Sequence, residues 1–202
     1  KGYATQRAKL IDPEHARPMR ELPAGDPTQF ESPSTTHFSV ADKDGNVVST
    51  TYTLGSDFGS GVMIAGTGVL LNNQMNNFSH EEAWRLRATG ERPPLNGMQP
   101  GKRMLSTMMP TFVLKDGKPW LVTGTPGGST IITTVVQLVV NVIDHGLNVA
   151  EATHQPRIFQ SASNSLRVEP NFNPDTVRLL KAMGHPVDSD ETMGSAQSIM
   201  IE

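Results

Sequence analysis

Ser34-Thr35-Thr36-His37-Phe38-Ser39 stands where a proline-rich, irregular segment gives way to alternating apolar and polar residues. The alternation predicts a strand from Thr36 to Val40, with Thr35 at its mouth, and a second from Val47 to Leu54. Between them Asp42-Lys43-Asp44-Gly45-Asn46 supplies turn residues, so the pair reads as a β-hairpin. Thr35 then has two readings. As an internal residue it is a β-branched strand starter. Freed as an N-terminal residue by cleavage after Ser34, its hydroxyl gains an α-amine that can take its proton, and a poor nucleophile becomes a usable one.

Outward from this stretch, the composition sets limits. The chain has 202 residues, a net charge of -3 and no cysteine. It is long enough for one substantial core, offers no basic patch for nucleic acid, and excludes disulfides, thiolate metal sites and cysteine nucleophiles. The apolar run Ile131 to Ile143 is too short and too polar to span a bilayer and reads as a buried helix extending to His145. Residues 1–34 contain five prolines and little periodicity beyond a short helix from Tyr3 to Ile11, and read as an irregular arm.

Downstream of the hairpin, Gly55 to Gly68 is dense in glycine, which lets backbone turn sharply or approach a ligand. The run Asn72-Asn73-Gln74-Met75-Asn76-Asn77 is either a capped turn or a polar binding wall, since each carboxamide can donate and accept. A short helix around Glu81 to Arg87, carrying Trp84, precedes a long Pro/Gly-rich loop. Leu105-Ser106-Thr107-Met108-Met109-Pro110 then leads into a second hairpin, Thr111 to Lys115 and Trp120 to Thr123, closed at Asp116-Gly117. Gly124-Thr125-Pro126-Gly127-Gly128-Ser129-Thr130 joins that hairpin to the long helix. A glycine pair at a helix entry exposes N–H groups suited to an anion or a developing oxyanion, or simply allows tight packing.

The rest reads as a short helix from Val149 to Thr153, a loop, a strand at Leu166 to Glu169, a helix capped by Asn173-Pro174-Asp175 and ended by Gly184, and a closing strand at Ala196 to Ile201. That order favours an α+β fold of the αββα layered type over a doubly wound sheet. Neither a metal-ligating histidine set nor a Gly-x-Ser-x-Gly elbow is present, and the Asp42 turn lacks the glutamate that a calcium loop needs at its twelfth position. No cofactor is expected.

Glu31-Ser32-Pro33-Ser34-Thr35-Thr36-His37-Phe38-Ser39-Val40 resembles the processing site of the γ-glutamyltranspeptidases, and four further blocks agree in order. They are Asp42 to Asn46, Leu70-Leu71-Asn72-Asn73-Gln74-Met75, Ser106 through Thr111, and Gly124 to Ser129. The resemblance implies an N-terminal nucleophile hydrolase whose precursor cuts itself between Ser34 and Thr35. It implies that residues 1–34 end the large subunit and that 35–202 form a small-subunit catalytic domain without its last strands, the large subunit being the partner. Thr35 looks like the nucleophile, Thr53 its hydroxyl partner, and Gly127 and Gly128 the oxyanion donors. Gln74, Ser106 and Thr107 fall where the family contacts the glutamyl end groups, Thr107 replacing a serine.

Two positions depart from the family: Gly55 stands where an asparagine is usual, and Asn77 where an aspartate binds the substrate ammonium. The implied reaction is transfer of a γ-glutamyl group to an amino acid, a peptide or water. The alternatives are a cephalosporin or glutaryl acylase on the same scaffold and an immature, non-catalytic fragment. A periplasmic or secreted location is implied by the resemblance alone.

Overall fold

A computed structural model describes residues 5, 9, 35–79, 96–160, 165–189 and 192–202. The expected helices at Tyr3 to Ile11 and Glu81 to Arg87, the arm and Ser34 fall, but for Thr5 and Lys9, outside the described residues. All elements below lie in the unit Pro33–Glu202.

The first hairpin pairs β1 (Thr35–Ala41) with β2 (Val47–Thr53) in antiparallel register, Thr35 opposite Thr53 and His37 opposite Thr51. Its turn is held by one carboxylate. Asp42 accepts from Asp44 N, Asn46 N and Asn46 Nδ2 at 2.8–2.9 Å, the local side-chain bonding that aspartate favours in turns. These bonds hold the Asp42 carboxyl below its usual range.

Strand β3 (Thr111–Lys115) and strand β4 (Lys118–Thr123) form the second hairpin, with Asp116 and Gly117 at positive φ in its tight turn. Helix α1 (Ile131–Ile143) and helix α2 (Val149–His154, with an Asn148/Glu151 capping box) follow. Then come β5 (Ile158–Gln160), β6 (Leu166–Val168), α3 (Pro174–Ala182), β7 (Val187–Ser189) and β8 (Ile199–Met200).

Among the described residues the strands make three sheets, ordered β1-β2, β3-β4-β8 and β5-β6-β7. Two short strands are not legible as strands in the sequence. β5 is paired on one side by β6 and bracketed by Gln137 of α1, whose carboxamide donates to Ile158 O and accepts from Ile158 N. β7 returns parallel to β6 after α3, the crossover that parallel strands require. The closing strand is shorter than expected, because only Ile199 and Met200 pair with β4.

The core sits between α1 and the middle sheet. Leu138 and Val142 of α1, Leu121 of β4 and Ala152 of α2 are buried together, flanked by Val113, Trp120 and Met200. Each large apolar side chain so placed contributes about 1.5–3 kcal/mol. The first hairpin packs against the middle sheet, giving the layer order hairpin, sheet, helix, the ββα part of an αββα arrangement. The polar residues that interrupt α1 are placed: Thr134 Oγ1 donates to Met193 O at 3.3 Å and Gln137 brackets β5.

A buried ion pair braces the far side of α1. Arg157 Nη1 lies 3.3 Å from Glu169 Oε1 and also donates to Met193 O, while Nη2 donates to Thr153 O. Glu169 accepts in addition from Arg157 N and Met193 N. Removing one member leaves the other charge and several N–H groups buried without partners. Glu169→Ala is therefore expected to lower the unfolding free energy of the purified protein by about 3–5 kcal/mol, read from urea midpoints at constant slope. A loss below ~1 kcal/mol would contradict this bracing role.

Candidate active site

The residues singled out in the sequence lie at the open end of the first hairpin, in the segment that follows it, just before β3 and just after β4. Thr35 begins β1 and Thr53 ends β2, and the antiparallel register brings their hydroxyls together: Thr35 Oγ1 donates to Thr53 Oγ1 at 3.0 Å. Thr53 Oγ1 also accepts from Gly55 N at 2.9 Å. Thr35 is half-buried, so its hydroxyl is held and still accessible.

Gly55 has a packing reason to be glycine. It sits at φ +99°, and a Cβ there would lie 1.9 Å from Asn73 Oδ1. That oxygen accepts from Ser56 N at 3.0 Å, and Asn73 Nδ2 donates to Ser56 Oγ. The Asn73 carboxamide therefore fills the space that a side chain at position 55 would need.

The carboxamide run divides between the two roles open to it. Asn72 Oδ1 accepts from Gln74 N and Asn73 ties down the 55–56 loop, which is turn chemistry. Gln74 to Asn77 form a 3-10 turn in which Asn77 Nδ2 donates to Gln74 Oε1 at 2.8 Å. Asn96, which the sequence gave no reason to select, bridges this turn to the Ser106-Thr107 segment. Its Nδ2 donates to Asn77 O at 2.6 Å and its Oδ1 accepts from Leu105 N at 3.0 Å. One side chain therefore links the Gln74–Asn77 turn to Leu105, the residue before Ser106 and Thr107. Ser106 Oγ accepts from Met108 N, which shapes the approach to β3.

The glycine pair follows β4. Gly127 (φ +136°) and Gly128 (φ +58°) lead a 3-10 turn into α1, conformations that L side chains resist. The Gly127 carbonyl is turned inward and accepts from Thr130 N and Thr130 Oγ1. Among the described residues neither glycine N–H has an acceptor, and the space beside the Gly128 Cα is open. Behind the loop, Gly194 packs so closely that a Cβ would lie 2.4 Å from Thr125 Oγ1 and 2.5 Å from Pro126 O. Thr125 Oγ1 donates to Pro126 O and accepts from Ser195 N. Gly194 adjoins Met193, which the Arg157–Glu169 pair holds, so the ion pair supports the loop from behind.

His37 was not selected from the sequence, although period two puts it on the face of Thr35. It is 4% exposed, and its ring nitrogens meet Thr51 Oγ1 at 2.8 Å and Ser39 Oγ at 3.2 Å. Burial pushes its pKa below 6.5. Among the described residues no group of three or more acidic, histidine or cysteine side chains could hold a metal ion.

This fold is that of the N-terminal nucleophile hydrolases. The gamma-glutamyltranspeptidase family model matches residues 1–202, and the chain belongs to that family. It is 52% identical over 202 residues to the glutathione hydrolase proenzyme of Escherichia coli, covering 100% of this chain and 35% of that protein. It therefore spans about a third of the length of the curated relatives it matches. A solved mutant of the Helicobacter pylori gamma-glutamyltranspeptidase superposes with a TM-score of 0.73 at 41% identity, over 83% of this chain and 91% of that one. The cephalosporin acylase from Bacillus halodurans superposes with a TM-score of 0.72 at 31% identity, over 100% of this chain and 34% of that one.

The buried imidazole makes a pH prediction. Well above pH 6.5 the ring is neutral in folded and unfolded chains alike. As pH falls below 6.5 the unfolded chain binds a proton that the folded ring resists, so stability drops until the folded pKa is passed. Urea titrations from pH 8 to pH 4.5 should show a fall that is smaller in His37→Gln. Parallel curves for the two proteins would contradict the assignment.

Proposed function

We propose that the mature protein is a γ-glutamyl amide hydrolase and transferase working through an acyl-threonine, with residues 1–34 ending the large subunit and 35–202 forming the small-subunit domain. The observation that carries this reading is the Thr35 hydroxyl, fixed on Thr53 at the first residue of β1. The oxyanion candidates Gly127 and Gly128 follow β4, the strand that β1 and β2 pack against.

In the precursor, Thr35 Oγ1 attacks the Ser34 carbonyl carbon, and the acyl group moves from nitrogen to oxygen. Water hydrolyses that ester and leaves Thr35 with a free α-amine. In each turnover this amine takes the hydroxyl proton while Oγ1 attacks the donor carbonyl. The N–H groups of Gly127 and Gly128 receive the negative oxygen, and the leaving amine departs with the proton. Water, an amino acid or a peptide amine then attacks the ester. Thr53 holds Oγ1 in one rotamer, and Gln74, Ser106, Thr107 and Asn77 bind the far end of the acyl group. No step needs a metal or cofactor.

The partner is the large subunit of the same precursor. Two apolar faces fit it: Phe38, Val40, Val48 and Tyr52 on the outer side of the first hairpin, and Ile132, Val136, Val140 and Ile143 along α1, all exposed in this chain. No helix among the described residues is long and apolar enough to cross a membrane. We place the enzyme in the periplasm or outside the cell.

One observation favours a second reading. Asn77 carries no charge and is bonded to Gln74, so the end-group pocket holds two neutral carboxamides where a substrate ammonium prefers a carboxylate. A glutaryl amide, which lacks the ammonium, loses nothing there. This favours some acylase character.

Two experiments on the full-length precursor follow. Thr35→Ala should remain one chain, whereas wild type should yield a chain whose mass begins at Thr35; cleavage of the variant at the same bond would sink the mechanism. Asn77→Asp should raise the ratio of kcat/KM for γ-glutamyl over glutaryl anilide by about tenfold, the size of one charge-assisted hydrogen bond. An unchanged ratio would move ammonium recognition out of this turn.

A further inference from the structure

The ring of His37 is where four segments meet. On β1 it reaches Ser39, on β2 it reaches Ser49 and Thr51, and its face lies against Gly124, the residue that leaves β4 toward Gly127 and Gly128. The fourth segment precedes β8: Gln197 N donates to Gly124 O, and Gln197 O accepts from Ser39 Oγ, both at 2.9 Å.

The contact with Gly124 is face-on and without slack. A Cβ at Gly124 would lie 2.1 Å from His37 Cε1, 2.4 Å from Nδ1 and 2.7 Å from Nε2. No real Cβ tolerates such distances. The position of Gly124 is therefore read directly from the position of the ring.

Counting protons fixes the ring's tautomer. Ser39 Oγ donates its one proton to Gln197 O, and Ser49 Oγ donates its one proton to Thr123 O at 3.0 Å. Neither hydroxyl has a second proton for the imidazole. Nε2 must then carry the hydrogen and donate to Ser39 Oγ at 3.2 Å, with Ser49 Oγ a longer second acceptor at 3.4 Å. Burial favours the neutral ring, in which Nδ1 is then the acceptor for Thr51 Oγ1 at 2.8 Å. The ring is neutral, singly oriented and bonded on both edges. The ring meets Ser39, Ser49, Thr51 and Gly124, behind which Thr123 and Gln197 bond to the serines, and none of these is titratable. The ionisable group expected nearby on the same strand is the Thr35 α-amine after cleavage.

We infer that His37 is a positioning residue, which locks the loop carrying Gly127 and Gly128 to the strand carrying Thr35. The inference rests on the roles proposed for those three residues. His37 touches no reacting atom. It sets the distance between attacking oxygen and oxyanion donors by spanning β1, β2 and the first residue of the loop. Such a residue affects the chemical step and leaves binding of the acyl end group, which falls to the 74–77 turn and Ser106-Thr107, nearly unchanged.

The test uses the full-length precursor and two readouts: the rate at which a chain beginning at Thr35 appears, and kcat and KM for a γ-glutamyl anilide. Gly124→Ala should slow both processing and kcat at least about tenfold, with KM within about twofold. His37→Ala should do the same. The double variant should be no worse than His37→Ala, because the vacated ring leaves room for the methyl group. His37→Gln keeps a donor for Ser39 and should fall between wild type and His37→Ala; it carries the test if Gly124→Ala does not accumulate. Multiplying losses in the double variant, or normal processing and kcat in Gly124→Ala, would overturn the inference. So would a His37→Gln enzyme with raised KM and unchanged kcat. If wild type releases the Thr35 chain but does not cleave the anilide, the substrate reading fails alone, and the processing rates still decide the role of His37.

Discussion

The register of one hairpin decides what the rest of the site can do. Asp42 draws three N–H donors into its carboxylate and so fixes the turn, and the turn fixes the pairing of Thr35 with Thr53. A slip of one residue would send Thr35, His37 and Ser39 to the outer face and bring Thr36, Phe38 and Val40 inward. In the observed register the inner face is a ladder of hydroxyls around one imidazole, and the outer face is apolar and exposed. That is the reverse of an ordinary half-solvated hairpin. It fits the proposal that the inner face carries the nucleophile and the outer face meets the large subunit.

Polar contacts between layers carry much of the alignment. Ser49 Oγ accepts from Thr111 N and donates to Thr123 O, tying β2 to β3 and β4 of the middle sheet. Thr123 Oγ1 and Ser198 Oγ are hydrogen-bonded to each other at 2.7 Å. Buried hydroxyl networks of this kind are worth keeping only when every member is satisfied, and they favour one arrangement over near alternatives. The Arg157–Glu169 pair works on the opposite side, through Met193 and Gly194, so the Gly127-Gly128 loop is held from two directions. Stability and site geometry therefore share the same residues, and the loop takes its two positive-φ positions at glycines, which meet no Cβ clash there.

Much of this was legible in the residues. Both hairpins, the long helix and the Asn173 cap follow from alternation, turn chemistry and 3.6-residue periodicity, because those signals are local. The short strands β5 and β7 were not legible, since three residues carry no period and their partners are Gln137 and a strand across a helix. In the site, Thr35, Gly127 and Gly128 stood out by residue type at element ends, and Thr53 only through the family resemblance. Asn73, Asn96, Gly124 and Gly194 did not, because their roles are contacts with residues far along the chain. His37 was visible as a residue two places from Thr35 but silent about Gly124, which only packing reveals.

The central claim is that Thr35 Oγ1 carries the acyl group. It is tested most directly by quenching the mature enzyme in acid during turnover of a γ-glutamyl donor and sequencing the small-subunit peptides by mass spectrometry. The account predicts a glutamyl mass increment on the peptide that begins at Thr35, localised to its first residue and absent when the donor is omitted. An increment on any other residue, or continuous turnover with no adduct at Thr35 under conditions where deacylation limits the rate, would contradict it.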